Sequence, residues 1–179
     1  VAFTKGMTWE HYSFWESPYN VPEVRSARAS LTDTITSLRT LTNPTAYVSK
    51  HKVELNGAKA NLAAYTINGS NYFKLRDLAA ALKGLDSEFA VTWNAAQQRI
   101  DLTSKTAYTP VGGEQAALPA GNKAASLTSA AVYLDGNPLS LTAYSIGGNN
   151  YFKLRDLGDA LGFGVDWNAD TMTMILTVK

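Results

Sequence analysis

The stretch Asn71-Tyr72-Phe73-Lys74-Leu75-Arg76-Asp77-Leu78 returns as Asn150-Tyr151-Phe152-Lys153-Leu154-Arg155-Asp156-Leu157. An octapeptide repeated within a chain of 179 residues marks a duplicated unit. Leu75, Leu78, Ala79 and Leu82 fall at i, i+3, i+4 and i+7, which is one apolar stripe of a helix. Asp77 lies in its first turn, where negative charge suits the helix dipole, and Gly84 is placed to stop it. In the second copy the stripe is Leu154, Leu157, Gly158 and Leu161, with Gly162 as the stop. Asn71-Tyr72-Phe73 reads as a short strand. The octapeptide is therefore a corner where a strand passes into a helix, once in each copy.

Outward from the corner, the flanks repeat as well. Val53-Glu54-Leu55 is followed by Asn56-Gly57, and Val132-Tyr133-Leu134 by Asp135-Gly136, both strong two-residue hairpin signals. Leu62, Ala64, Tyr65, Ile67 and Gly69 match Leu141, Ala143, Tyr144, Ile146 and Gly148. In both copies the buried parity changes near Ala64-Tyr65 and Ala143-Tyr144, which predicts a bulge or a strand break there. After the helix, Phe89, Val91 and Trp93 alternate as a strand, as do Phe163, Val165 and Trp167. Ile100 with Leu102, and Met174, Leu176 and Val178, return. The first copy carries extra residues at Lys83 to Glu88, where a loop tolerates them.

The expected class is α+β: two small β-β-(β)-α-β-β domains, each an antiparallel sheet curved around one helix. The expected boundaries are 1–47 for an aromatic segment and helix, 48–108 for the first repeat, 109–130 for a linker and 131–179 for the second repeat. The linker holds Pro110, Gly112, Gly113, Pro119 and Gly121 with many Ala and Ser and shows no periodicity, so it reads as a tether, with a docked strand as the other reading. In the first segment Trp9, Tyr12, Phe14, Trp15 and Tyr19 crowd together. They read as rings covering a small core, or as an interaction surface, where Trp and Tyr are favoured anchors. Asn20 and Pro22 then open a helix whose stripe is Val24, Ala27, Leu31, Ile35, Leu38 and Leu41, ended by Asn43-Pro44.

These motifs resemble a known family, the copper amine oxidase N-terminal-like or stalk domain of exported bacterial proteins, especially of Firmicutes. The likeness lies in the Asn-Gly or Asp-Gly hairpin, Ala-Tyr-x-Ile-x-Gly, Tyr-Phe-Lys-Leu-Arg-Asp-Leu and Trp-Asn, and covers about 48–114 and 131–179. Tyr108-Thr109-Pro110-Val111-Gly112-Gly113-Glu114 is similar to the end of a first copy in tandem pairs. The resemblance implies a small sheet curved around one helix in a surface or wall-associated accessory module. Amine oxidase chemistry belongs to a different domain, with three His ligands for copper and a Tyr in an Asn-Tyr-Asp/Glu setting. This chain has only His11 and His51, and Tyr72 and Tyr151 are followed by Phe. No cofactor is expected.

Composition narrows the function classes further. The formal charge is +1, which argues against the dense basic face of a nucleic-acid binder. No run of about 18 apolar residues suggests a membrane span. The absence of Cys excludes disulfides, thiolate metal sites and thiol nucleophiles. The start at Val1 rather than Met fits a mature chain after signal removal or an excised fragment.

Lys74, Arg76 and Asp77, with Lys153, Arg155 and Asp156, read as groups serving the strand-to-helix corner: Asp at the helix end, Lys and Arg stems over apolar surface. Asp86 and Glu88 are paired carboxylates in a loop with nothing evident to hold a sugar. Alternation places Trp93 and Trp167 in the core, with a sugar-stacking platform as the other reading. No catalytic or metal residue is expected. The expected function is that of a non-catalytic structural or interaction protein at the bacterial cell surface or wall, making protein–protein contacts. Self-assembly into a filament or lattice through helix or strand exchange is the sharper version. The alternative is a glycan- or wall-binding accessory module of a larger secreted enzyme.

Overall fold

The computed structural model describes residues 22–179, and the aromatic cluster Trp9, Tyr12, Phe14, Trp15 and Tyr19 lies outside the described residues. In chain order the elements are α1 (Pro22–Thr42), β1 (Thr45–Val48), β2 (Lys52–Leu55), β3 (Ala58–Lys59), β4 (Ala64–Ile67), β5 (Ser70–Lys74), α2 (Leu75–Ala81), β6 (Phe89–Asn94) and β7 (Arg99–Ser104). There follow β8 (Lys123–Ala124), β9 (Ser126–Leu127), β10 (Ala131–Leu134), β11 (Asn137–Leu139), β12 (Ala143–Ile146), β13 (Asn149–Lys153), α3 (Leu154–Leu161), β14 (Gly164–Asn168) and β15 (Thr173–Thr177). The predicted α+β class with mostly antiparallel strands holds. Helix α1 falls in one unit and Asn43–Lys179 forms another. Of the α1 stripe, Leu31 and Ile35 are exposed.

In Asn43–Lys179 the two octapeptides meet. Strands β5 and β13 pair antiparallel at the middle of a seven-stranded sheet ordered β8-β1-β4-β5-β13-β12-β9. Phe73 faces Phe152, with Tyr72 opposite Lys153 and Lys74 opposite Tyr151. Equivalent residues thus exchange places across the Phe pair, which makes it the centre of an approximate twofold relation between the copies.

The two edges of this sheet, β8 and β9, belong to one stretch of chain and are separated only by Ala125. Strand β8 pairs with β1, and β9 with β12. Ala125 is fully buried and its N–H donates to the Pro44 carbonyl at 3.0 Å. The sheet therefore nearly closes into a barrel, which leaves few open edges. The docked-strand reading applies to this part of the linker: a small residue at the junction lets one segment serve both edges. Inside lie Ala46, Tyr65, Ile67, Tyr72, Tyr144, Ile146 and Tyr151. Tyr65 meets Tyr151 and Tyr72 meets Tyr144 edge to face, each with centroids 5.2 Å apart, a geometry that the ring quadrupoles favour. Burial is the first cause pushing the Tyr151 hydroxyl up to about 12.

The parity switch has its explanation here. Strands β4 and β12 are buried on both faces: Ala64 and Ala143 point to the helix-covered core, Tyr65, Ile67, Tyr144 and Ile146 into the barrel. The strand break expected near Ala64-Tyr65 falls at residues 60–63, and the pieces on either side, β3 and β4, join different sheets.

Two four-stranded sheets, ordered β11-β10-β7-β6 and β14-β15-β2-β3, complete the unit. Each combines hairpins from both copies. Strand β2 runs parallel to β15, setting Val53 opposite Met174 and Leu55 opposite Leu176. Strand β10 runs parallel to β7, setting Val132 opposite Ile100 and Leu134 opposite Leu102. The strand pairings expected within each copy thus cross between the copies. Hairpin turns lock the exchange. Asn56 and Asp135 take φ near +50°, with Gly57 and Gly136 next at φ 80° and 83°, as a two-residue I′ turn requires. The Val178 N–H donates to Asn56 Oδ1 at 2.8 Å. The Ser104 N–H and hydroxyl donate to the two Asp135 carboxylate oxygens at 2.9 and 2.6 Å. The Ser104 hydroxyl, then its amide, hold the Asp135 carboxyl below its usual range. One core runs through both copies, from Val53 and Phe73 to Phe152 and Leu176.

Gly158 stands where the first copy has Ala79. The connection from α3 to β14 is shorter than that from α2 to β6, so the strand presses on the helix. A Cβ on Gly158 would lie 2.8 Å from the Phe163 carbonyl oxygen and 2.9 Å from Val165 Cγ2. Gly158→Ala is expected to destabilise the fold by about 1–3 kcal/mol by overpacking, whereas Ala79→Gly loses a methyl and helix propensity. Urea unfolding of Gly158→Ala checks this; an unchanged midpoint contradicts it.

Candidate functional sites: twin grooves at the two corners

The corner of the first copy is built around Asp77. Lys74 precedes α2 in extended conformation and does not cap it with its side chain. Asp77, 1% exposed, accepts the Gln115 N–H at 2.9 Å and lies 3.3 Å from Lys74 Nζ. Lys74 Nζ also donates to the Gly113 carbonyl at 2.8 Å. The corner thus ties down the segment 108–115. That segment folds on its own Glu114, which accepts from the Val111 and Gly112 amides and from the buried Tyr108 hydroxyl at 2.7 Å. The Val111 amide, then the Tyr108 hydroxyl, hold Glu114 down at about 2, while burial first and then Glu114 push Tyr108 up to about 12. In the second copy Lys153 lies 3.5 Å from Asp156, which is partly exposed.

This makes an acid-stability prediction. A carboxylate with a lowered folded pKa stabilises fully above its unfolded value, near 4.5, and loses that contribution as pH falls toward its folded value near 2. Glu114→Gln is therefore expected to unfold more easily at neutral pH and to show a flatter loss of stability below pH 4.5. Urea titrations at stepped pH check it; an acid limb parallel to that of the parent chain contradicts it.

Beside each corner lies an open groove, of about 260 Å³ in the first copy and about 330 Å³ in the second. Their linings correspond residue for residue. Lys74, Leu75 and Arg76 match Lys153, Leu154 and Arg155; Val91, Thr92 and Trp93 match Val165, Asp166 and Trp167; Ile100 matches Met174. The remaining wall comes from the other copy: Gly148-Asn149-Asn150 closes the first groove and Gly69-Ser70-Asn71 the second. Each groove is thus composite, because the β5–β13 pairing brings the turn of one copy against the corner of the other. Asn71 is fixed there by the Thr66 hydroxyl, which donates to its Oδ1 at 3.0 Å.

Trp93 is 49% and Trp167 44% exposed, which replaces the core placement expected from strand alternation. Along β6, Phe89 is fully buried, Val91 half-buried and Trp93 exposed. Helix α2 has seven residues and β6 six. At roughly 1.5 Å per helical residue and 3.3 Å per strand residue, the helix covers only part of the strand. The strand end projects past it, and the indole forms a groove wall. At three matched positions the residue changes: Asp166 stands for Thr92, Met174 for Ile100 and Ser70 for Asn149. The second groove also adds His51, whose ring lies 4.7 Å from that of Trp167 and whose Nδ1 is buried without a partner.

Tyr72, Phe73, Tyr151 and Phe152 are buried in the two cores, as are Leu75 and Leu154. Glu88 accepts the Gly84 N–H at 2.8 Å and so braces its own loop. Among the described residues no helix is long and apolar enough to cross a membrane.

No curated protein and no solved structure matches the chain significantly. A family model, "Copper amine oxidase N-terminal domain", matches residues 52–176, a span that includes both octapeptides, the groove residues Trp93 and Trp167, and nearly all of the exchanged hairpins. The match is to the N-terminal, non-catalytic domain. The chain belongs to the copper amine oxidase N-terminal domain family.

Proposed function

We propose that this chain is a non-catalytic interaction module of an exported bacterial surface or wall protein, with residues 48–108 and 131–179 as tandem copies of the unit seen in Firmicutes. The twin grooves are its contact surface. The supporting observation is that two equivalent, composite grooves each present a half-exposed Trp beside Lys, Arg and amide groups. Large rings left in solvent at a concave, polar-rimmed place serve binding better than stability. Both indoles stand over fixed backbone, so little ordering entropy opposes contact.

The test is retention on bacterial wall preparations, resolved into peptidoglycan, wall polysaccharide and wall protein. The parent chain is expected to be retained on at least one fraction and the Trp93→Ala/Trp167→Ala double variant to be released. Equal retention of both, or none, overturns the reading.

A second reading is self-assembly. The exposed Leu31 and Ile35 on α1 support it, since apolar side chains one turn apart on a helix gain by being covered. Light scattering after size exclusion, with negative-stain microscopy, is expected to show concentration-dependent association weakened by Leu31→Ser/Ile35→Ser. A monomer at high concentration with no ordered arrays excludes it.

A further inference from the structure

We infer that the first groove is a site for a carboxylated glycan, an uronic-acid-type sugar stacked on Trp93 with its carboxylate on Arg76. The inference rests on the grooves being a contact surface and names the ligand class of one of them. The charges of the lining carry it. The first groove is lined by Lys74 and Arg76 and by no acidic residue. Lys74 is already engaged, with Asp77 and the Gly113 carbonyl. Arg76, half-buried, makes no ion pair among the described residues. One uncompensated cation is thus left in the groove, and it matches one negative charge per sugar. A guanidinium holds a planar carboxylate by two parallel hydrogen bonds.

The rest of the lining fits the sugar itself. The exposed face of Trp93 offers an apolar plane for the C–H face of a pyranose ring. Asn149 and Asn150 on the opposite wall supply amide donors and acceptors for hydroxyls. The second groove keeps the Trp, Lys and Arg. Asp166, at the position of Thr92, lies between Val165 and Trp167, so strand alternation turns its carboxylate to the opposite face. His51, whose ring lies 4.7 Å from that of Trp167, is what sets the second groove apart.

The experiment is calorimetric titration of the whole chain with polygalacturonate, its methyl ester, neutral mannan and dextran sulfate. Polygalacturonate is expected to bind, and the methyl ester, which has the same rings without the charge, to bind at least about tenfold more weakly. Trp93→Ala and Arg76→Gln are each expected to weaken polygalacturonate binding by about tenfold or more. Arg76 makes no ion pair among the described residues, so Arg76→Gln removes the groove charge without breaking one.

Equal binding of ester and acid overturns the inference, as does binding of dextran sulfate that matches polygalacturonate and is unaffected by Trp93→Ala. So does polygalacturonate binding unchanged in both Trp93→Ala and Arg76→Gln. Groove-dependent retention of wall protein with no glycan bound sinks this inference and leaves the module reading intact. Loss of all groove-dependent retention sinks both.

Discussion

Replacing Phe73 with alanine is expected to lower the unfolding free energy by about 3–5 kcal/mol. The ring is fully buried and faces Phe152, equally buried, across the strand pair that joins the two copies. It belongs to the same core as Leu75, Leu78 and Leu157, so truncation removes contacts to both copies at once and leaves a cavity where neither helix can collapse alone. Against a total stability of roughly 5–15 kcal/mol, that is a large share. The approximate twofold relation makes a second demand: Phe152→Ala is expected to cost about the same. The double variant should cost less than the sum, because the two rings border one cavity. Guanidinium unfolding followed by far-ultraviolet circular dichroism and Trp fluorescence measures all three. A loss under about 1 kcal/mol for either single variant would mean that the pair is not a packed centre.

How much of this could be read beforehand follows from the range of each interaction. The corner, the helix stripes and the Asn56-Gly57 and Asp135-Gly136 turns were legible because each depends on residues within a few positions. The exchange of hairpins was not. Val53-Glu54-Leu55 and Val132-Tyr133-Leu134 present nearly the same apolar pattern, and either could lie beside Ile100 and Leu102 or beside Met174 and Leu176. Parallel pairing has no turn to announce it. Duplication thus revealed the unit and concealed which copy each unit pairs with.

The grooves were hidden for a related reason. Period-two alternation assigns Trp93 and Trp167 a face of the strand, yet it does not say how far the covering helix extends along that face. The composite walls, Gly148 to Asn150 and Gly69 to Asn71, depend on the β5–β13 pairing, which only the folded sheet supplies. The linker gave no period because β8 and β9 are two residues each and turn about Ala125 between two edges. The parity change at Ala64-Tyr65 was a true signal, of a strand break just before Ala64 and of a strand buried on both faces, not of a bulge.

A single copy, expressed as residues 43–125, is expected not to fold as a monomer. In the whole chain its β2–β3 hairpin completes a sheet with β14 and β15, and its own β7 is covered by β10 of the second copy. Cutting the chain there strips Val53 and Leu55 of Met174 and Leu176, and Ile100 and Leu102 of Val132 and Leu134. It also exposes β5, the middle of the seven-stranded sheet. A short unit with that much uncovered apolar surface does not offset its chain entropy. One route of rescue remains, and the symmetry dictates it. Because equivalent residues meet across the Phe73–Phe152 centre, a second molecule of the same fragment can take the place of the missing copy, so that Phe73 meets Phe73 and each hairpin crosses to its neighbour. The fragment should therefore be either unfolded or a homodimer whose unfolding midpoint rises with protein concentration. Adding residues 126–179 should convert it to a one-to-one complex resembling the intact chain. Analytical ultracentrifugation with circular dichroism at several concentrations decides between these outcomes. A monomeric fragment that unfolds cooperatively, at a midpoint independent of concentration, would show that each copy closes on itself and that the exchanged hairpins are not what holds the fold together.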